Sequence, residues 1–235
     1  MSSNSENTAD RNDAGTMVRE AMRAFMKRDQ ATKAANFRIL NRTAKEGAIL
    51  FTGSSLMEQF PVCEMAASAG IDKVIYNRGI GGTTTEDFLR EIDAVLLLPS
   101  PSKVFINIGT NDMNSAIYGE NWMDRLMENY EKILTIAREK LPETEFYLMA
   151  YYPANLHLDR PGVDTSWMKD RTPENIAACN ERVKALAEKF GYHYINVNDG
   201  LYNEAGEQKE EFAIDGVHMY ASGYEVVFKN LQKYL

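Results

Sequence analysis

Five short apolar runs recur along the chain, and segments with the spacing of a helix alternate with them. The runs lie at about residues 47–53, 73–79, 103–109, 145–152 and 193–198. The helical segments lie at 56–69, 85–97, 122–140, 173–190 and 222–235. Strands that alternate with helices form a parallel sheet with right-handed crossovers. We therefore expect an α/β protein, a three-layer α/β/α sandwich around a flavodoxin-like parallel sheet of five strands.

The segment ahead of residue 47 differs from this alternation. Residues 1–14 are polar and acidic, and we expect them to form a disordered tail. Residues 15–46 are expected to form an N-terminal helical extension. Its apolar positions recur at helical spacing, at Val18, Met22, Phe25 and Met26. Such a stripe usually packs on its own domain, and contact with a second subunit is the alternative.

The composition excludes several classes of protein. The 235 residues include 34 acidic and 26 basic ones, for a net charge of −8, and no basic run that would hold nucleic acid or an anionic membrane. Two cysteines, Cys63 and Cys179, are too few for a disulfide framework or a zinc site. No signal peptide and no segment of membrane-spanning length is present. These features predict a cytoplasmic protein without stable membrane insertion or a nucleic acid partner.

An aspartate and a histidine, Asp215 and His218, stand three residues apart ahead of the last helical segment. A serine hydroxyl is a weak nucleophile until a base accepts its proton, and a third group has to hold that base in one tautomer. The candidate serine lies in Phe51-Thr-Gly-Ser-Ser-Leu56, because this segment follows the first strand at the carboxyl edge of the sheet, where open α/β folds bind ligands. The G-x-S-x-G motif of α/β-hydrolases is missing, since Met57 replaces its second glycine.

Two further segments fall on the same edge of the predicted sheet. They are Tyr76-Asn-Arg-Gly-Ile-Gly-Gly-Thr83 and Gly109-Thr-Asn-Asp112. A glycine lets a backbone amide approach a ligand closely, and an asparagine side chain donates hydrogen bonds without carrying a charge. Both kinds of donor suit the oxyanion of an acyl-transfer reaction. We expect Asp112 to brace its loop by bonding backbone amides.

In order and spacing, these four segments resemble the blocks of the SGNH hydrolases, also called the GDSL-like esterase and lipase family. The resemblance identifies residues 47–235 as an SGNH hydrolase domain. In that family the serine is the nucleophile, and the last block supplies the aspartate and histidine of its catalytic triad. The serine amide, a glycine and an asparagine form the oxyanion hole. The positions that match these roles are Ser55, Gly82, Asn111, Asp215 and His218.

One position departs from the family's pattern. The motif that names the family is Gly-Asp-Ser-Leu, whereas this chain has Gly53-Ser54-Ser55-Leu56. Because the aspartate of that motif is not a triad member, the change bears on loop geometry more than on chemistry. We expect Ser54 and Trp167 to contact substrate. Trp167 lies in a long irregular segment, 153–171, of the kind that is usually functional in compact domains.

The resemblance implies a serine esterase that hydrolyses carboxylic esters through an acyl-enzyme. The blocks look most like those of the platelet-activating-factor-acetylhydrolase-like esterases. This implies a short acyl group, such as acetyl, on a small-molecule, lipid or carbohydrate alcohol. No metal and no organic cofactor are expected. The expected partner is a small-molecule ester, and a homo-oligomer is compatible with the sequence.

Two other functions stay open at this point. The first is a catalytically silent ligand-binding domain, since fold does not fix function. The second is a nucleotide- or phosphate-binding α/β protein that uses residues 79–85 as an anion loop. The glycines of that loop lack the G-x-G-x-x-G spacing of a dinucleotide site, and no acidic ribose ligand follows at the expected distance. His157 and His193, the other two histidines, are assigned no catalytic role.

Overall fold

The computed structural model describes the backbone from Ser3 to Leu235, and the side chains from Gly15 onward except that of residue 19. The strands are β1 Ile49–Gly53, β2 Ile75–Asn77, β3 Lys103–Asn107, β4 Glu145–Met149 and β5 His193–Ile195. The helices are α1 Ser3–Asn41, α2 Ser55–Glu58, α3 Val62–Ser68, α4 Thr85–Arg90, α5 Ser115–Tyr118, α6 Trp122–Lys140, α7 Pro173–Phe190 and α8 Ala221–Leu231. Shorter turns are π-helical at Asp93–Leu97 and 3₁₀-helical at Thr110–Asp112, Ser166–Met168 and Gln232–Tyr234.

The sheet has the strand order β2-β1-β3-β4-β5, and every neighbouring pair is parallel. This confirms the predicted flavodoxin-like α/β fold. The strand order changes direction between β1 and β3, and ligands of open α/β sheets bind in the crevice at such a switch point. Gly53, the last residue of β1, pairs with Asn107, the last residue of β3, so both strands end at that crevice.

A row of stacked rings lies across four strands on one face of the sheet. Phe51 on β1, Phe105 on β3, Tyr147 on β4 and His193 on β5 are directly paired between neighbouring strands. Consecutive ring centroids are 4.7, 4.8 and 4.7 Å apart. A slip of one residue would turn a strand's ring to the opposite face, so the row stabilises the observed register.

The two long helices of the sandwich have their predicted bounds. α7 begins at Pro173, where the Thr172 hydroxyl accepts a hydrogen bond from the Asn175 amide at 3.2 Å. It ends at Gly191, which has a left-handed φ of +72°. α6 likewise spans the predicted residues.

Two predicted helices are interrupted in the structure. The segment 56–69 forms α2 and α3, because Pro61 lacks an amide hydrogen and disfavours helical backbone in the residue before it. The segment 85–97 forms α4 and then the π-helical turn. β2, β3, β4 and β5 also end two or three residues before their predicted ends, because the chain there enters the loops at the carboxyl edge of the sheet.

α1 is longer than the predicted extension, which began at residue 15. Its backbone is helical from Ser3, and the segment contains no proline that would end it. Residues 1 and 2 of the expected disordered tail lie outside the described part. The division into a tail over residues 1–14, an extension over 15–46 and a hydrolase domain over 47–235 is still a prediction.

The C-terminal half of α1 attaches the helix to the domain. Arg38 donates to Asp93 at 2.7 and 2.8 Å and to Glu91 at 2.8 Å, and Asn41 donates to the Ala94 carbonyl at 2.8 Å. The apolar stripe at Val18, Met22, Phe25 and Met26, expected to pack on the domain, is exposed instead. The residues that attach α1 to the domain lie in later turns of the helix. Phe25, for example, is 73% exposed. None of the described helices, α1 included, is long and apolar enough to cross a membrane.

Gly53 joins β1 to the serine turn and leaves no room for a side chain. Its φ is +150°, and an ideal Cβ on it would lie 1.9 Å from the Asn107 carbonyl oxygen. We expect Gly53→Ala to lower the free energy of unfolding by about 3 kcal/mol or more, because the β3 backbone would have to move. Urea denaturation measures this loss.

Gly47→Ala is the matched control. Gly47 also has a positive φ, +73°, but no atom lies within 4 Å of its ideal Cβ. Its substitution should therefore cost only the conformational strain, about 1–2 kcal/mol. Equal losses in the two variants would contradict the steric explanation for Gly53.

Candidate active site

Three side chains form one hydrogen-bonded chain at the switch point. His218 Nε2 lies 2.9 Å from Ser55 Oγ, and His218 Nδ1 lies 2.7 Å from Asp215 Oδ2. Ser55 is the first residue of α2, directly after the turn that ends β1, and the other two precede α8. The fold thus brings together a serine and a histidine that are 163 positions apart.

The acid and the base share one turn of the chain. Asp215 Oδ1 accepts hydrogen bonds from the amides of Val217 at 3.0 Å and His218 at 2.8 Å. Gly216 is in a left-handed conformation at φ +94°, and an ideal Cβ on it would lie 2.5 Å from the Asn155 carbonyl oxygen. The spacing of three residues therefore lets one carboxylate hold both the backbone of the turn and the imidazole ring.

The surroundings of Asp215 keep its carboxyl group ionised. Partial burial would by itself raise the pKa of Asp215. Hydrogen bonds from the His218 ring and from the His218 and Val217 amides outweigh burial and hold that pKa well below its ordinary value. An ionised carboxylate only accepts hydrogen bonds, so Nδ1 of His218 carries the hydrogen and Nε2 presents its lone pair to Ser55. This is the tautomer that a general base for the serine requires.

The glycine loop lies against the serine turn. Glu58 Oε2 accepts from the Gly81 amide at 2.6 Å, and an ideal Cβ on Gly81 would lie 3.8 Å from Ser55 Cβ. The next amide, of Gly82, donates to no other atom in the described part of the chain. The Ser55 amide, at the first position of a helix, has no intrahelical acceptor. Both N–H groups are therefore available to a ligand.

Asn111 lies on the 3₁₀ turn after β3, beside the glycine loop. Its Nδ2 donates to the Thr83 carbonyl at 3.0 Å, which leaves its second N–H bond for another acceptor. The next residue, Asp112, is buried and accepts from the Thr85 amide at 2.9 Å and the Thr85 hydroxyl at 2.5 Å. Burial raises the pKa of Asp112 to about 6 despite these bonds. Asp112 thus bonds a backbone amide, as the sequence predicted.

The other predicted residues lie around these groups. Ser54 is buried, and its hydroxyl has no hydrogen-bond partner in the described structure. Trp167 is 49% exposed, and the guanidinium carbon of Arg171 lies 4.7 Å from its ring centroid. The substrate contacts expected of Ser54 and Trp167 stay predictions. His157 and His193 contact glutamates outside the triad.

Arg171 is a residue of the site that sequence reasoning missed. Its Nη2 lies 3.3 Å from Asn111 Oδ1, and its Nε donates to the Thr110 carbonyl at 3.2 Å. No motif or spacing marks an arginine in an irregular loop as the neighbour of a turn 60 positions away. The long loop expected to be functional thus reaches the Asn111 turn.

A cleft of about 600 Å³ opens beside Gly82 and Asn111. Its apolar walls come from α1 and α5, with Met22, Met26, Ile117 and Tyr118. α5 is missing from the predicted elements, because four residues are too few to show helical periodicity. Gly82 and Asn111 therefore border an open space between α1 and α5.

The sequence model of the GDSL-like lipase/acylhydrolase family matches residues 61–226, which is more than half of the chain. The chain belongs to that family. The matched region begins after Ser55 but includes the glycine loop, the Asn111 turn and the Asp215–His218 pair. Membership confirms the resemblance inferred from the four segments, and it makes the protein a carboxylic ester hydrolase.

Individual relatives agree with this GDSL-like family. Platelet-activating factor acetylhydrolase IB subunit alpha1 from Bos taurus is 22% identical over 193 residues, which are 81% of this chain and 76% of that protein. A structure from Streptococcus pneumonia, provisionally described as a platelet activating factor, is 29% identical with a TM-score of 0.81, over 93% of this chain and 98% of that one. A GDSL-like lipase from Bacteroides thetaiotaomicron shares the fold at 20% identity and a TM-score of 0.68, over 86% of this chain and 96% of its own.

Two carboxyl groups of the site bear on the acid side of the expected pH profile. Asp215 stays ionised as the pH falls from about 7 to about 4.5, whereas Asp112, whose pKa burial raises to about 6, gains a proton in that range. We expect kcat/KM to fall between about pH 7 and pH 4.5, because Asp112 loses the charge with which it braces the Asn111 turn and because a histidine base has to be neutral to accept the serine proton. Initial rates at low substrate concentration measure this fall, and a flat profile would contradict a histidine base.

Asp215→Asn should lower kcat by about 10²- to 10⁴-fold, because the imidazole loses the group that fixes its tautomer. Asp159→Asn is the control, since Asp159 is an exposed carboxylate in the long loop. Its kcat should equal that of the wild type. Full activity in Asp215→Asn would exclude a role for the carboxylate.

Proposed function

We propose that Ser55 attacks carboxylic esters of short acyl groups and carries the acyl group as a covalent intermediate. The main support is the hydrogen-bond chain from Ser55 Oγ through His218 to Asp215. As Oγ adds to the ester carbonyl carbon, His218 Nε2 takes its proton and passes it to the leaving alcohol. Water then gives a proton to the same nitrogen and attacks the acyl carbon, which releases the acid and restores the serine.

The proposed oxyanion hole consists of the Ser55 amide, the Gly82 amide and the Asn111 side chain. Negative charge develops on the carbonyl oxygen when the serine adds, and fixed donors stabilise it more than they stabilise the uncharged ester. The free N–H groups of these residues support the assignment. An asparagine donor carries no charge, so it does not retain a carboxylate product through ion pairing.

The short acyl group is inferred from the relatives. The Bos taurus protein is named as an acetylhydrolase, and it matches 81% of this chain. The cleft between α1 and α5 would then receive part of the alcohol, for which its apolar walls are suited. We infer a small-molecule, lipid or carbohydrate alcohol and no need for a metal or an organic cofactor.

A cytoplasmic location without nucleic acid partners is part of the proposal. Cys63 and Cys179 are both free thiols, which is the usual state of cysteines in a reducing compartment. The net charge of −8 opposes binding to phosphate backbones. A homo-oligomer is compatible with the exposed apolar residues of α1.

The two alternative functions have weaker support. An anion loop at residues 79–85 conflicts with the Glu58 carboxylate, which already bonds the Gly81 amide and would repel a phosphate. A silent binding domain has no need for a base aligned at 2.9 Å with a serine hydroxyl. Ester hydrolysis uses both features of the site.

Ser55→Ala should lower kcat by about 10⁴-fold or more, because the nucleophile is removed. Ser54→Ala is the matched comparison, since its hydroxyl has no hydrogen-bond partner in the described structure. Its loss of activity should be much smaller than that of Ser55→Ala, even if Ser54 contacts substrate, and the variant should still react with a fluorophosphonate probe. Hydrolysis of p-nitrophenyl acetate and mass spectrometry of the labelled residue measure both effects. Equal losses in the two variants, or label on Ser54, would exclude Ser55 as the nucleophile.

A series of p-nitrophenyl esters from acetate to palmitate tests the acyl preference. We expect kcat/KM to be highest for acetate or another short chain and to fall by about 10-fold or more towards palmitate, because each methylene that finds no pocket loses transition-state binding. Acetylated sugars and alkyl acetates then compare the alcohols. A maximum at palmitate would overturn the short-acyl assignment but not the serine mechanism.

A further inference from the structure

Arg171 is a buried cation whose hydrogen bonds all go to neutral oxygens. The residue is 4% exposed, and its Nη1 is buried with no partner in the described structure. Burial lowers the pKa of Arg171 to about 10, against the opposing charge of Asp215, so the group is still a cation at neutral pH. A buried charge that forms no salt bridge with a carboxylate lowers the stability of the fold. We therefore expect Arg171 to have a role in the function of the site.

Two contacts hold this arginine at the Asn111 turn. The Trp167 ring covers the guanidinium at 4.7 Å. The preceding residue, Asp170, accepts from the Ser115 amide at 2.8 Å and from its hydroxyl at 2.9 Å, which ties the long loop to the start of α5. The guanidinium therefore has a fixed position relative to the turn.

The contact with Arg171 determines which way the Asn111 amide faces. Asn111 Oδ1 faces Arg171 Nη2 at 3.3 Å, and Nδ2 faces the Thr83 carbonyl at 3.0 Å. A guanidinium only donates hydrogen bonds, and a carbonyl only accepts them. Turning the amide over would place donor against donor and acceptor against acceptor. Arg171 and the Thr83 carbonyl thus specify the same single orientation.

We propose that Arg171 is a positioning residue for the oxyanion hole, which fixes and polarises the Asn111 side chain so that its second N–H faces the reacting carbonyl oxygen. This rests on the proposed role of Asn111 in ester hydrolysis. A charged donor on Oδ1 draws electron density from the amide nitrogen and makes its N–H a stronger donor. Arg171 acts through Asn111 and does not itself touch the substrate.

A double-mutant cycle tests the proposal. Arg171→Met, Asn111→Ala and the double variant are compared by kcat and KM on p-nitrophenyl acetate. Arg171→Met should lower kcat by about 10- to 100-fold and change KM by less than about threefold, because the hole acts on the transition state. In the Asn111→Ala background the same substitution should cost less than about threefold, because the group that Arg171 positions is gone.

Two further variants serve as a control and as a conservative substitution for the cycle. Arg182→Met removes an exposed arginine that pairs with Asp124, and it should leave kcat unchanged. Arg171→Lys retains the charge but loses the planar fork, and its kcat should lie between those of the wild type and Arg171→Met. If Arg171→Met does not fold, the cycle is run with Arg171→Lys, whose loss should again vanish without Asn111.

The remaining outcomes overturn the proposal in distinguishable ways. Equal fold-losses in both backgrounds, or a higher KM at constant kcat, would make Arg171 a structural or substrate-contacting residue. A large loss in Asn111→Ala beside an unchanged Arg171→Met would exclude positioning but leave the hydrolytic mechanism intact. Unchanged kcat in both Asn111→Ala and Ser55→Ala would remove the proposed function and this inference together.

Discussion

Gly53 and Asn107 end β1 and β3 side by side, because the two strands pair residue for residue over their whole length. Ser55 follows the first strand end closely, and Asn111 follows the second, so their relative position depends on this pairing. The absence of a side chain at Gly53 allows the close approach, and the ring row holds the register. A slip of one residue would displace Ser55 by about 3.3 Å relative to Asn111, which is more than a hydrogen bond tolerates.

The features that the sequence predicted correctly are those with local signals. α6 and α7 carry apolar periodicity, and α7 also has capping residues at both ends. The contact between Asp215 and His218 follows from a spacing that one turn of the chain can span, while their catalytic roles stay predictions. Arg171 could not be predicted, because its contact with Asn111 depends on how an irregular loop packs after the sheet has formed. Pro61 is itself a local signal for the break between α2 and α3. The apolar periodicity on both sides of it nevertheless predicted one continuous helix. Strand ends depend on where neighbouring strands stop, which no single segment encodes.

α1 lies outside the segments that carried the family resemblance, yet it supports the glycine loop. Gln30 Nε2 donates to the Gly81 carbonyl at 3.0 Å. Lys33 Nζ lies 2.7 Å from Glu58, the carboxylate that bonds the Gly81 amide. Two hydrogen bonds therefore hold Gly81. Gln30 of α1 donates to its carbonyl, and Glu58 accepts from its amide. α1 is thus connected to the glycine loop as well as forming a wall of the neighbouring cleft.

The turn that carries Asp215 and His218 has a mechanical consequence. Thermal displacement of this turn moves acid and base as one body, so the 2.7 Å contact between them is preserved. A displacement of the turn therefore changes the 2.9 Å distance between His218 Nε2 and Ser55 Oγ. Loosening of the domain would lengthen the contact between His218 and Ser55 before it lengthened the contact between His218 and Asp215. The Tyr224 hydroxyl of α8 donates to the Leu56 carbonyl of α2 at 2.9 Å, so the helix that follows His218 is tied directly to the helix that begins at Ser55.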